Sequence, residues 1–159
     1  MKPNRSLHVY YAEDVRQEAN GQISVIGIFA DAIGVAAFPT TFGKLAVLLD
    51  VTTATDRPFQ KLSFEVKTDE GKILAEATLP VSQLRQQDEA VAKHVENQDE
   101  AKIISLRLQV VMAGVTIENA TKIRVVVKTE DEEDLISRPL RIQKDNRASV
   151  TVAATAEGN

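Results

Sequence analysis

The chain has 159 residues, two histidines, no cysteine and no tryptophan, and a formal net charge of −4. That length fits one ordinary domain, and the missing cysteines exclude disulfides, thiolate metal sites and a cysteine nucleophile. The negative balance and the 4% aromatic content speak against nucleic acid as a partner and against a stacking platform for single strands.

Residues 1 to 20 carry charges throughout and no apolar h-region, so no signal peptide is expected. No window approaches the roughly 18 apolar residues of a membrane span. A membrane is therefore not an expected partner, and a cytoplasmic location is the expectation.

Met1 to Arg5 reads as a loose polar start. Leu7 to Phe29 follows, two runs rich in β-branched and aromatic residues around Ala19-Asn20-Gly21-Gln22. Asn-Gly between such runs is a strong hairpin signal, because both central residues of a type I′ turn need φ > 0. The stretch is expected to form a long antiparallel ribbon that seeds the domain. Its first strand, Leu7 to Gln17, puts Leu7, Val9 and Tyr11 on one face and His8, Tyr10 and Ala12 on the other. Its second, Gln22 to Phe29, puts Ile23, Val25 and Phe29 on one face and Ile26 and Ile28 on the other. Apolar residues on both faces point to a strand covered on both sides or one that meets a partner. Gly27 interrupts the row and marks a bulge or a close backbone approach.

Asp31 to Gly43 reads as a connection in which Pro39 disfavours a helix, with Phe38 and Phe42 plugging one end of the core. Lys44 to Thr53 alternates through Leu45, Val47, Leu49 and Val51. Phe59 to Thr68 points Leu62, Phe64 and Val66 inward, turns at Asp69-Glu70-Gly71, and returns along the core through Ile73, Ala75, Ala77 and Leu79. Ser82 to Asn97 is the expected surface helix, capped by Ser82, with Leu84, Val91 and Val95 as a narrow apolar stripe. Lys102 to Met112 is a further alternating strand, and Gly114 to Thr121 reads as a loop with a short extended piece. Lys122 to Thr129 sends Ile123, Val125 and Val127 inward. After the acidic turn Glu130 to Asp134, the chain returns through Ile136, Leu140 and Ile142.

About eight strands, one helix near 82–97 and no βαβ alternation describe an all-β, two-sheet antiparallel sandwich over residues 1–143. Residues 144–159 are polar or small and are expected to be a disordered tail.

No residue set points to catalysis, a cofactor or a metal. His8 and His94 stand alone, whereas a histidine-based zinc site needs two or three converging ligands. The acidic turn Glu130 to Asp134, with Asp69-Glu70 as a second loop, suits calcium by its oxygen ligands but lacks a spaced Asp-x-Asp pattern. Glu13, Asp14, Arg16 and Glu18 concentrate charge on the ribbon. They are the candidate partner-binding residues, against a reading as a salt-bridged strand end that discourages aggregation. Asn119-Ala120-Thr121 matches a glycosylation acceptor only by chance in the absence of a secretion signal.

Tyr11-Ala12-Glu13-Asp14-Val15-Arg16-Gln17-Glu18, then Gly21, Ser24, Ile26-Gly27-Ile28-Phe29 and Phe38-Pro39, resembles a family of uncharacterised bacterial and phage proteins. Pro139-Leu140 after an acidic turn fits the same pattern, and the resemblance spans roughly residues 7 to 143. Gln22 departs from the lysine that the pattern places after the turn glycine, and the helix is longer than the usual connection. The resemblance implies an Ig-like or C2-like sandwich and nothing catalytic. The expected function is a non-enzymatic protein-interaction module, whose partner is another protein or a second copy. The alternatives are a structural or accessory component of a phage particle, located in the virion, and a calcium-dependent binding module.

Overall fold

Period-two alternation dominates this chain, and it folds accordingly. In the computed structural model, residues 5–86, 88 and 103–145 are described. They form ten strands: β1 (Ser6–Gln17), β2 (Ile23–Phe29), β3 (Ala32–Val35), β4 (Thr40–Ala54), β5 (Leu62–Thr68), β6 (Ile73–Thr78), β7 (Ile103–Ile117), β8 (Thr121–Thr129), β9 (Leu135–Ile136) and β10 (Leu140–Lys144). Sheet A has the order β2-β1-β4-β7, and sheet B the order β3-β10-β8-β5-β6, with β9 also paired to β8.

The two sheets face each other over one core. Leu45, Val47, Leu49 and Val51 of β4 pack in the same cluster as Leu62 and Val66 of β5, Ile123, Val125 and Val127 of β8, and Leu140 and Ile142 of β10. These side chains have almost no exposure, as expected where two half-apolar sheets bury their facing rows. Tyr11 crosses the core from β1. Its hydroxyl meets Ser137 Oγ at 2.9 Å and donates towards the Ile123 and Arg138 carbonyls at 3.2 Å. Burial pushes the phenol above its ordinary value, against the pull of the Ser137 hydrogen bond, so the group stays a neutral donor.

The all-β, two-sheet expectation holds, and several details differ. The pairing is not wholly antiparallel, because β3 lies parallel to β10. No strand was expected there. Ala32-Ile33-Gly34-Val35 is too short to signal itself and becomes a strand through Arg141 N–H to Asp31 O and Asp145 N–H to Val35 O. β7 runs unbroken to Ile117 where a loop with only a short extended piece was expected, because its partner β4 also starts early, at Thr40.

Ile73 and Ile136 point outward, at 48% and 62% exposure. A register shift at Val66/Lys67 rotates the start of β6, and Leu135 rather than Ile136 packs on the core. Arg5 is buried and bonded rather than loose. The hairpin turn sits one residue earlier than the type I′ placement. Gly21 N–H bonds Glu18 O, Glu18 N–H bonds Gln22 O, and Gly21 has φ 81, so Ala19, Asn20 and Gly21 form a three-residue connection.

The helix begins at residue 81, with the Pro80 carbonyl accepting from Gln83 and Leu84, so Ser82 lies inside it. Leu84 is buried in the main core. The expected continuation through Val91, His94 and Val95 lies outside the described residues, as does the tail beyond Asp145. Lys144 itself closes β10.

Candidate functional site: the arm and the outer face of sheet A

Tyr11 and Phe29 pair across β1 and β2 and belong to the main core. Val15 and Val25 also pair, an even number of residues further out, so a regular ladder would place them on the same face. They do the opposite. Val15, with Ile23 and Val25, clusters with Ala46 and Leu48, the β4 residues that alternate away from the core. The ladder reverses its phase between these pairs, where Glu13 lies opposite Gly27.

Register passes through unshifted, from Ala12↔Ile28 to Asp14↔Ile26, so Gly27 marks a close approach rather than an inserted residue. It has φ 66, and a Cβ there would lie 2.7 Å from Cγ and Cδ of Glu13. Only glycine meets both conditions without strain. Pairing of β1 to β4 stops at Ala12↔Ala46. Residues 14–26 are thus an arm, a two-stranded extension folded back onto the outer face of sheet A. A fully buried valine contributes roughly 1.5–3 kcal/mol; only Val15 reaches that state, so the arm is held far less firmly than the core strands.

The four charged candidates are not all brought together: Asp14 and Arg16 meet, while Glu13 and Glu18 stand apart from them. Asp14 is the organiser: it is buried, accepts Arg16 Nε at 2.9 Å and Lys44 Nζ at 3.1 Å, and accepts its neighbour Val15 N–H at 3.0 Å. Hydrogen bonds from Arg16 first and Lys44 second hold its carboxyl below the ordinary range. Glu13 lies exposed over Gly27, Arg16 is spent on Asp14, and Glu18 sits exposed at the turn. The salt-bridged reading fits Asp14 and Arg16. The partner that matters, Lys44, stands on another strand and carries no signal in the ribbon's own sequence.

Around the arm, the outer face of sheet A is apolar. One cross-strand row reads Ile28, Ala12, Ala46, Val111 from β2 to β7. Ile28 and Val111 at its ends are 58% and 47% exposed, and Tyr10 in the adjoining row is 47% exposed. The next row closes with charge: Asp50 takes two bonds of 2.9 Å from Arg107, and His8 stands beside it in register.

The outer face of sheet B is charged along β5 and β8, with Ile73 and Ile136 exposed at the ends of β6 and β9. Glu65 there accepts Lys67 and Lys128, at 3.2 and 2.9 Å, and Arg124 pairs with Asp69. The hydrogen bond from Lys128, then that from Lys67, holds the Glu65 carboxyl low.

The acidic turn is partly consumed inside the fold. Arg5 bonds Glu130, Asp131 at 3.1 Å and Thr53 Oγ1 at 3.3 Å, and stacks 4.7 Å from the Phe59 ring centroid. Arg57 takes the other oxygen of Asp131. Burial pushes the Glu130 carboxyl up, but Arg5 and the N–H groups of Gln60 and Lys61 more than reverse this and hold it low. Glu132, Glu133 and Asp134 remain exposed. Among the described residues, no three His, Cys, Asp or Glu side chains converge as metal ligands. Among them too, no helix is long and apolar enough to cross a membrane.

The model of a family of unknown function, DUF6941, matches residues 8–143. The chain belongs to that family. The matched span takes in all ten strands except Ser6 and Leu7 of β1 and Lys144 of β10, and includes the whole arm, in keeping with kinship to an uncharacterised domain. No curated protein and no solved structure matches the chain.

Proposed function

We propose that this is a non-enzymatic protein-interaction module that binds through the arm and the outer face of sheet A. One observation carries the reading. Tyr10, Ile28 and Val111 stay exposed on both sides of the arm, on a sheet whose other face already forms the core, whereas the middle of sheet B shows water the charges of Glu65, Lys67 and Lys128, and its exposed Ile73 and Ile136 stand at the ends of the short strands β6 and β9. Exposed apolar surface bordered by charge is the usual character of a docking patch. On this reading the sandwich is of the Ig-like or C2-like kind, in which edges and loops carry binding.

The test compares the unmodified chain with an Ile28→Asp/Val111→Asp variant as immobilised bait, with Lys67→Glu as a control on sheet B. Proteins retained by the unmodified chain and the control but released by the double variant support the proposal. Equal retention by all three removes the outer face from it. Turnover that vanishes on changing one carboxylate would overturn the non-enzymatic reading altogether.

A second reading, a structural or accessory component of a phage particle, draws on the edge of β2, which among the described residues pairs with β1 alone. That strand, Ile-Ser-Val-Ile-Gly-Ile-Phe, carries no charge to discourage strand-to-strand assembly. Light scattering that finds only monomer at high concentration would sink it. Calcium binding at the acidic turn, the third reading, would have to use Glu132, Glu133 and Asp134, since Glu130 and Asp131 already hold arginines.

A further inference from the structure

The arm is self-contained. Its ladder runs Asp14↔Ile26, Val15↔Val25, Arg16↔Ser24 and Gln17↔Ile23, and its turn closes on Glu18, Gly21 and Gln22. The side-chain bonds of Asn20 to Gln22, and of Asp14 to Arg16 and the Val15 N–H, also stay inside it. What ties it to the body, among the described residues, is the packing of Val15, Ile23 and Val25 on Ala46 and Leu48, and the Asp14–Lys44 ion pair at 3.1 Å. Among the described residues no strand pairing joins the arm to β4 beyond Ala12↔Ala46, so lifting it leaves the β1–β4 ladder whole. Both of its strands enter at one point, where Gly27, with φ 66, stands against Glu13.

We propose that the arm exchanges between two copies of this chain, the arm of each seated over Ala46 and Leu48 of the other, with Asp14 paired to the opposite Lys44. The proposal rests on the reading of the arm as the binding element and names its occupant. A second copy is the partner because the contact it would make is the one already formed within the chain, apolar side chain for apolar side chain and carboxylate on ammonium. Exchange is isologous, so two copies close without leaving a free arm or a free seat. Closure within one chain has the advantage of a short tether, which acts as an effective concentration in the millimolar range, so exchange is favoured as the protein is concentrated.

The absence of native cysteine gives a clean test. Val15→Cys chains are mixed with affinity-tagged Leu48→Cys chains, concentrated, mildly oxidised and resolved by non-reducing mass spectrometry. The expected result is a disulfide-linked heterodimer several-fold above that from Val15→Cys mixed with Lys67→Cys, rising with concentration. A yield equal to the Lys67→Cys control overturns the proposal. Light scattering on the unmodified chain guards against variants that fail to fold: dimer at high concentration supports exchange, and monomer throughout overturns it. The doubly substituted Val15→Cys/Leu48→Cys chain, oxidised while dilute, locks its own arm down. It should stay monomeric where the unmodified chain dimerises, and a dimer of the locked chain overturns exchange. A strict monomer whose bait still retains a partner through Ile28 and Val111 defeats exchange alone and leaves the binding reading standing.

Discussion

At the pair Gly43–Gly114, sheet A reverses the phase of β4 and β7 and keeps its apolar row in the core; at Glu13–Gly27 the same reversal carries the row of β1 and β2 out of it. Leu45 and Met112 pair and lie in the core, and so do Phe42 and Val115, although the two pairs are an odd three positions apart along each strand. Register is unshifted there too, and Gly114, like Gly27, has a positive φ, 65 against 66. The same backbone device thus has opposite outcomes. Beyond Gly114 the strands meet sheet B, with Lys72 Nζ donating to Thr116 O at 3.0 Å and Ile117 in the main cluster. Beyond Gly27 the apolar surface that the ribbon meets is the outside of its own sheet, at Ala46 and Leu48. A kink decides that the phase changes; the neighbouring surface decides what that change buries.

The largest expected effect separates the two ends. Ile117→Ala should cost about 2–5 kcal/mol in urea unfolding, as a truncation inside a packed core, while Val25→Ala on the half-buried arm should cost under about 1.5 kcal/mol. Equal losses would break the comparison.

The next effect contrasts the anchored and free ends of β1. Arg5→Ala removes the cation that Glu130 shares, at a cost of about 2–3 kcal/mol, discounted from the fully buried case because both carboxylates keep some access to water. Glu130 is held below its ordinary 4.5 in the folded chain, so its contribution is complete above that value and fades as the pH falls through the lower folded one. Urea midpoints should therefore fall as the pH drops below about 4.5, and less steeply in Arg5→Ala. Parallel profiles would show that Glu130 is not the group responsible.

Gly27→Ala and Gly114→Ala sharpen the comparison at the kinks themselves. Both force a side chain into left-handed backbone, at about 1–2 kcal/mol. Only at Gly27 does the new methyl meet another group, Glu13, while Gly114 opens on free space. Gly27→Ala should be the more costly, and adding Glu13→Ala should recover the excess. The smallest effect is kinetic: amides of residues 15–17 and 23–25 should exchange with solvent sooner than those of β4 and β7 around Leu45 and Met112, because an isolated two-stranded ribbon is only marginally stable.

Much of the sandwich was legible. Leu45 to Val51, Leu62 to Val66 and Ile123 to Val127 advertise a buried face by strict alternation, and Asn20-Gly21 marks where the ribbon doubles back. The shape of that turn was not legible, since a two-residue and a three-residue connection both suit Asn-Gly. β3 was invisible because four residues with a central glycine have no pattern until Arg141 and Asp145 bond to them. Of the candidate site, the charges were found by their density, whereas the part that organises the arm, Asp14 on Lys44, joins residues thirty positions apart. The apolar rows on both faces of β2 were the one available signal for the outer surface. They mark a second buried face without naming what buries it.

The residue pattern by itself determined that this chain makes paired strands, which side chains face the core along most of them, and where the first hairpin turns, because alternation and turn conformation are local properties of a few neighbouring residues. Only the tertiary structure decided that two ladders reverse phase, that one reversal feeds the core and the other folds an arm outward, and that a short parallel strand closes sheet B. Those outcomes depend on which surface a strand meets after it bends, and that surface is built by residues far away in the chain.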